Sequence, residues 1–85
     1  MKYILAFYSV EHGLEHKVCF DGDDLLEHIE RFLSFMTELS TKDKNEYIDQ
    51  ARDQINGNHF GYNTNLVNAR NPNSVVGEYH VLVIR

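Results

Sequence analysis

Both ends of this chain are written in a hydrophobic period of two and its middle in a period of three to four, and that switch constrains most of what it can fold into. Residues 2 to 10 alternate Tyr3, Leu5 and Phe7 against Ile4, Ala6, Tyr8 and Val10. Successive strand side chains point to opposite faces, so both faces of this strand are apolar, as in a strand central to its sheet. Glu11-His12-Gly13 supplies a turn whose glycine can take positive φ. Residues 14 to 20 then resume the alternation, with Leu14, His16, Val18 and Phe20 opposed to Glu15, Lys17 and Cys19. A β-hairpin is predicted over the first twenty residues.

Beyond Asp21-Gly22 the period changes. Leu25, Ile29, Phe32, Met36 and Leu39 recur at spacings of three and four, widened by Leu26, Leu33 and Phe35, which predicts a helix lying on the sheet. Asp24 is the expected N-cap, since Glu27 then stands three residues on in a capping-box relation, and the helix is expected to run to about residue 39. Ser40-Thr41 breaks the pattern and offers a hydroxyl cap for a second helix over residues 42 to 56, with Tyr47, Ile48, Ala51 and Ile55 on its buried side. Asn56-Gly57 suits a left-handed C-terminal position. Asparagines at 58, 63, 65, 68, 71 and 73 argue against a long regular element, leaving a short strand around residues 62 to 68 and a turn at Asn71-Pro72-Asn73-Ser74. Residues 75 to 84 return to the period of two, a strand expected to be buried on both faces. The order ββααββ predicts an α+β fold, an antiparallel sheet with a two-helix layer.

At 85 residues the chain makes a single domain spanning 1 to 85, and its ten aromatics (five Tyr, five Phe) are enough for a packed interior. A domain of this size buries only about 60 to 65% of its unfolded surface, so a homodimer or a tight partner is a common solution. A lone Cys19 makes no internal disulfide and points to a reducing compartment. The opening apolar stretch alternates like a strand and is followed by no cleavage pattern, and no run approaches the roughly 20 residues of a bilayer span. A cytoplasmic protein without membrane contact is expected.

The charge is unevenly spread. Of the thirteen carboxylates behind the net −5, twelve fall in residues 11 to 53 against Lys17, Arg31, Lys42, Lys44 and Arg52, a local net of −7. Direct nucleic-acid binding is disfavoured, because it depends on Lys and Arg displacing counterions, and a basic protein partner is favoured. Asp23, Glu27 and Glu30 are spaced by four and three on the first helix, and Glu46, Asp49 and Asp53 by three and four on the second. Each triplet makes a one-sided carboxylate row, either a solvated face or a surface for Arg and Lys. Phe60 and Tyr62, among asparagines and glycines, resemble the composition of recognition loops, or equally turn chemistry at a sheet edge.

The remaining constellations carry less. His12 and His16 with Cys19 name zinc-type ligands, but His16 and Cys19 differ by an odd number and point to opposite strand faces, so no metal is expected. Asp21, Asp23 and Asp24 read as capping charge at a helix start. Cys19 with His80 would make a nucleophile and base only if they met across the sheet, which nothing in the sequence requires. With no phosphate-binding glycine loop, hydrolase elbow or metalloprotease motif, no catalytic residue and no cofactor are expected, and the chain is not expected to be an enzyme.

The opening MKYILAFYSV followed by FDGDDLLEHIERFL resembles the start of many small phage-encoded proteins, in which a hairpin leads through an acidic turn into a helix. The resemblance covers about the first forty residues and carries no functional residue onto this chain. It implies host-takeover or counter-defence work in the host cytoplasm: anti-CRISPR and anti-restriction proteins of this size act by occluding a much larger nucleic-acid-binding machine. The leading expectation is an acidic inhibitor covering the basic surface of a larger protein complex. The alternative is a homo-oligomeric accessory or regulatory protein without catalytic activity.

Overall fold

The turn chemistry at Gly13 closes the first hairpin. Strands β1 (Lys2–Ser9) and β2 (Gly13–Cys19) pair antiparallel, from Tyr3 opposite Cys19 to Ser9 opposite Gly13. Gly13 takes φ 78°, a left-handed conformation that a Cβ would penalise, directly after the turn. The computed structural model describes residues 2–57, 62–68 and 71–84. These form helices α1 (Gly22–Ser34) and α2 (Thr41–Asn56), then strands β3 (Tyr62–Asn68) and β4 (Asn71–Ile84). The sheet is wholly antiparallel in the order β2-β1-β4-β3, which puts both two-sided apolar strands at its centre. The fold is the α+β arrangement with order ββααββ that the alternating periods imply.

Several boundaries differ from the sequence reading, each for a local reason. Asp21, not Asp24, is the N-cap of α1: its carboxylate accepts the Asp24 N–H at 2.8 Å, while Asp24 Oδ2 accepts the Phe20 N–H at 2.9 Å. The helix starts one turn earlier than the Asp24–Glu27 spacing suggested. It also ends earlier, at Ser34, where the Phe35 and Met36 N–H groups close onto the Phe32 and Leu33 carbonyls. Met36 and Leu39 stay buried although they leave the helix. The hairpin tip holds this end: His12 Nε2 lies 3.0 Å from the Phe35 carbonyl, and the Thr37 hydroxyl donates to Glu11 at 2.7 Å.

Helix α2 carries the full capping box at Ser40, whose hydroxyl accepts from Asp43 N–H while Asp43 accepts from Ser40 N–H. Its end departs from expectation, since Gly57 has φ −81° and is not left-handed. Residues 71 to 74, read as a turn, belong to β4, where Asn71 lies opposite Asn68 and the register shifts on both sides of Val67. At that irregularity the Tyr47 hydroxyl of α2 accepts the Val67 N–H at 2.9 Å and stabilises an edge the ladder serves poorly.

One sheet face is covered and the other is open. Tyr3, Leu5, Phe7, Tyr79 and Val81 point inward with Cys19 and Leu66, and onto them pack Leu25, Ile29 and Leu33 of α1 and Ala51 of α2. Phe7 stacks on Phe32 at 4.7 Å and on Tyr79 at 6.0 Å between ring centroids. Helix α1 reaches β1 and β2, and α2 extends the layer to β3 through Tyr47. The expectation that the last strand is buried on both faces is corrected here. Leu82 is 56% exposed and Ile84 38%, because both helices lie on the opposite side. Among the described residues no helix is long and apolar enough to cross a membrane.

Candidate functional site

The two carboxylate rows come together. Gly22 abuts Ile55, and the Lys44 ammonium lies 3.4 Å from the Ser34 carbonyl, so the start of each helix sits beside the end of the other. This antiparallel pairing sets Asp23 at the same end as Asp53, Glu27 near the level of Asp49, and Glu30 toward Glu46. Arg52 joins the rows: its Nη1 is 3.2 Å from Asp49 Oδ1 and its Nη2 3.9 Å from Glu30 Oε1. Glu27 is held by Arg31 at 3.2 Å, an i,i+4 pair. Among the described residues Asp23, Glu46 and Asp53 have no cationic partner within ion-pair distance. The charged pairs are well exposed and add little stability, which leaves the layer a field rather than a clamp.

The aromatic pair is not brought into view as a loop. Phe60 lies outside the described residues. Tyr62 begins β3 at the register position opposite Val81, so the part of the asparagine-rich segment from 62 to 68 is an edge strand. Asn63 and Asn65 on that strand are exposed, opposite His80 and Glu78.

The histidines and cysteine of the hairpin separate as their parity requires. His16 pairs with Ala6 on the open side, whereas Cys19 points into the core opposite Tyr3. His80 also pairs with Ala6, so it stands on the face away from Cys19. Cys19 instead approaches Asp24 and His28, the ligand-type atoms of all three lying within 4.8 Å of one another. Sequence reading missed this triad because it joins a strand end to an i,i+4 pair across a cap. Sulfur, nitrogen and oxygen donors suit zinc, yet the Asp24 and His28 donors are already engaged. His28 Nδ1 lies 2.8 Å from the Asp24 main-chain oxygen and 3.2 Å from its carboxylate, whose other oxygen holds Phe20. Burial, reinforced by the Asp24 and Asp21 carboxylates and opposed by Lys17, pushes the Cys19 thiol up to about 11. A protonated, enclosed thiol is a poor nucleophile. The Phe20–Asp24 bond fastens the end of β2 to the start of α1, and a metal entering there would have to displace it and the His28–Asp24 contacts.

Between α1 and β2 opens a cleft of about 480 Å³, floored by Phe7, Phe32 and Phe35 and edged by Lys17, His28 and Arg31. Its volume falls within the span of small-ligand sites. Glu15 also lines it, so the cleft holds charges of both signs, and no periodicity in the sequence pointed to it. No protein-family profile, curated protein or solved structure matches this chain.

Proposed function

We propose that this protein is a non-catalytic, protein-binding inhibitor that lays its acidic helix layer over a basic, nucleic-acid-binding surface of a larger host defence complex in the cytoplasm. The observation that supports this reading is the side-by-side placement of the two carboxylate rows. Six carboxylates against the guanidiniums of Arg31 and Arg52 leave four net negative charges on one layer. Such a field steers encounter with a basic surface and repels phosphate, so the layer competes with nucleic acid without binding it. Carboxylates at fixed helical spacing also accept charge-assisted bonds from Arg and Lys.

The test compares wild type with Glu46→Lys, Asp49→Lys and Asp53→Lys combined, using capture of a partner from bacterial lysate and titration against it. Exposed ion pairs contribute about 0.2–1 kcal/mol each, so the variant should fold and melt nearly as wild type does. Binding should weaken by well over tenfold, since interfacial charge pairs couple by roughly 1.5 kcal/mol or more, and wild-type affinity should fall as salt rises. Undiminished binding by the folded variant would overturn the reading and return the rows to the status of a solvated face.

A further inference from the structure

The face of the sheet opposite the helices exposes large apolar side chains on β2, β1 and β4, beside the polar Asn63 and Asn65 of the β3 edge. On it Ile4 stands between Val18 and Leu82, and Tyr8 between Leu14 and Glu78, with Ala6 flanked by two histidines in the middle. Leu14 is 62% exposed, Leu82 56%, Val18 52% and Tyr8 41%. An antiparallel sheet with one wet face ordinarily alternates to polar residues on that side, and folded monomers rarely leave an apolar patch of more than a few hundred Å² uncovered.

We propose that this open face is the interface of a homodimer, two copies stacking sheet on sheet about a two-fold axis that runs across the strands. Charge selects a second copy over a basic partner. The strand positions of this face hold Lys2 and Glu78 and are close to neutral, while the acidic rows lie on the helix layer behind it. Sheets pack about 10 Å apart, and a helix adds about 10 Å on each side. The two acidic layers of the dimer would thus stand about 30 Å apart, beyond three Debye lengths of about 8 Å each. Their repulsion is screened.

Area and orientation agree. Four strands about 4.8 Å apart, each about seven residues at 3.3 Å, give a flat footprint of about 440 Å². Both copies together reach about 900 Å² in flat projection, close to the roughly 1,000 Å² of a specific interface. Lys2 is level with Ile84 at one end of the face and Glu78 is level with Tyr8 at the other. A two-fold across the strands brings the Lys2 end of each copy over the Glu78 end of its partner. An axis along the strands would stack Lys2 on Lys2.

Sedimentation equilibrium of the full chain tests this. Wild type should run at twice its 9.9 kDa mass, and combined Val18→Lys and Leu82→Lys should weaken association by about 100-fold or more. Both positions are exposed in the single copy, so circular dichroism should stay unchanged. Should that variant misfold, charge exchange supplies the second reading: Lys2→Glu and Glu78→Lys should each weaken the dimer and together restore much of it. Glu46→Lys, on the helix layer, should leave the dimer mass intact. Three results would each overturn the proposal: a wild-type chain that stays monomeric at concentrations on the order of 1 mM, a dimer indifferent to the paired substitution, or one indifferent to the charge exchange.

Discussion

Replacing Tyr47 by phenylalanine removes one oxygen atom from α2 and leaves its ring in place. That oxygen accepts the Val67 N–H at 2.9 Å and lies 3.4 Å from the Val67 carbonyl, toward which it donates. Val67 sits where the β3–β4 register shifts on both sides, so the ladder supplies these groups poorly. An intramolecular hydrogen bond contributes about 0.5–1.5 kcal/mol net, and an orphaned, enclosed donor costs about 1–3 kcal/mol. The short contact counts near the middle of its range and the long one for less. Because Val67 is only part-buried on an edge strand, water can rehydrate its N–H, which keeps the loss below the upper limit. Tyr47→Phe should therefore cost about 1–2 kcal/mol, a fall in Tm of about 5–15 °C for a domain this small. Urea unfolding at unchanged m-value measures the first quantity, and amide exchange locates it: the Val67 amide should lose protection beyond the global change. A variant within about 0.5 kcal/mol of wild type, the range of inconsequential surface changes, with Val67 as protected as before, would refute the reasoning.

Two further perturbations follow from close approach and burial. A Cβ on Gly77 would stand 2.6 Å from the Tyr8 carbonyl oxygen and 3.0 Å from Met36 Cε; Gly77→Ala should destabilise by about 1–3 kcal/mol in urea unfolding, and a gain in stability would show that β1 and β4 lie further apart. Because the folded state raises the Cys19 thiol to about 11, its protonated form is favoured there. The associated stability is complete below the ordinary thiol value of about 8.5 and declines as pH rises toward 11. Melting across that window should show the loss, a thiol reagent at mildly alkaline pH should react far more slowly than with free cysteine, and prompt labelling of the folded protein would contradict the burial.

What the sequence made legible was governed by local period. The two-residue alternation of Tyr3, Leu5 and Phe7 placed β1 at the sheet centre, and the Leu25, Ile29 and Phe32 spacing placed α1 on it, because side-chain direction follows backbone geometry alone. The helix start was not decided locally: Asp21 with Asp24 and Asp24 with Glu27 both have cap spacing, and only the first can hold the Phe20 N–H as well. Met36 and Leu39 kept the helical spacing yet left the helix, since spacing reports burial and not conformation, and the end of α1 is held by His12 and Glu11 from the hairpin. The carboxylate rows were legible singly. Their side-by-side placement required the antiparallel helix pair, and the Cys19, Asp24 and His28 cluster required the strand end to meet the helix start.

The last strand raises a different question, because a period-two run apolar on both sides states that both faces avoid water without saying whose atoms cover them. Val81 and Val83 meet the helix side, with Val81 fully buried. Leu82 and Ile84 are equally apolar and remain partly exposed, yet nothing in their own alternation distinguishes them from their neighbours. The exposed side chains of Leu14, Val18 and Leu82 are of the kind that contribute about 1.5–3 kcal/mol each when fully buried, comparable in sum to the stability of a small domain. A chain that spread them among polar neighbours would forgo little, as isolated surface leucines do. Here register sets them in rungs across three adjacent strands, Val18, Ile4 and Leu82 in one and Leu14 beside Tyr8 in another. The His16–Ala6–His80 rung lies between them, and apolar side chains grouped side by side within a rung expose more joined surface than scattered ones do. The both-faces expectation for β4 fails within one copy and would hold only in the proposed dimer, and the mass of wild type beside that of the Val18→Lys, Leu82→Lys variant distinguishes those cases.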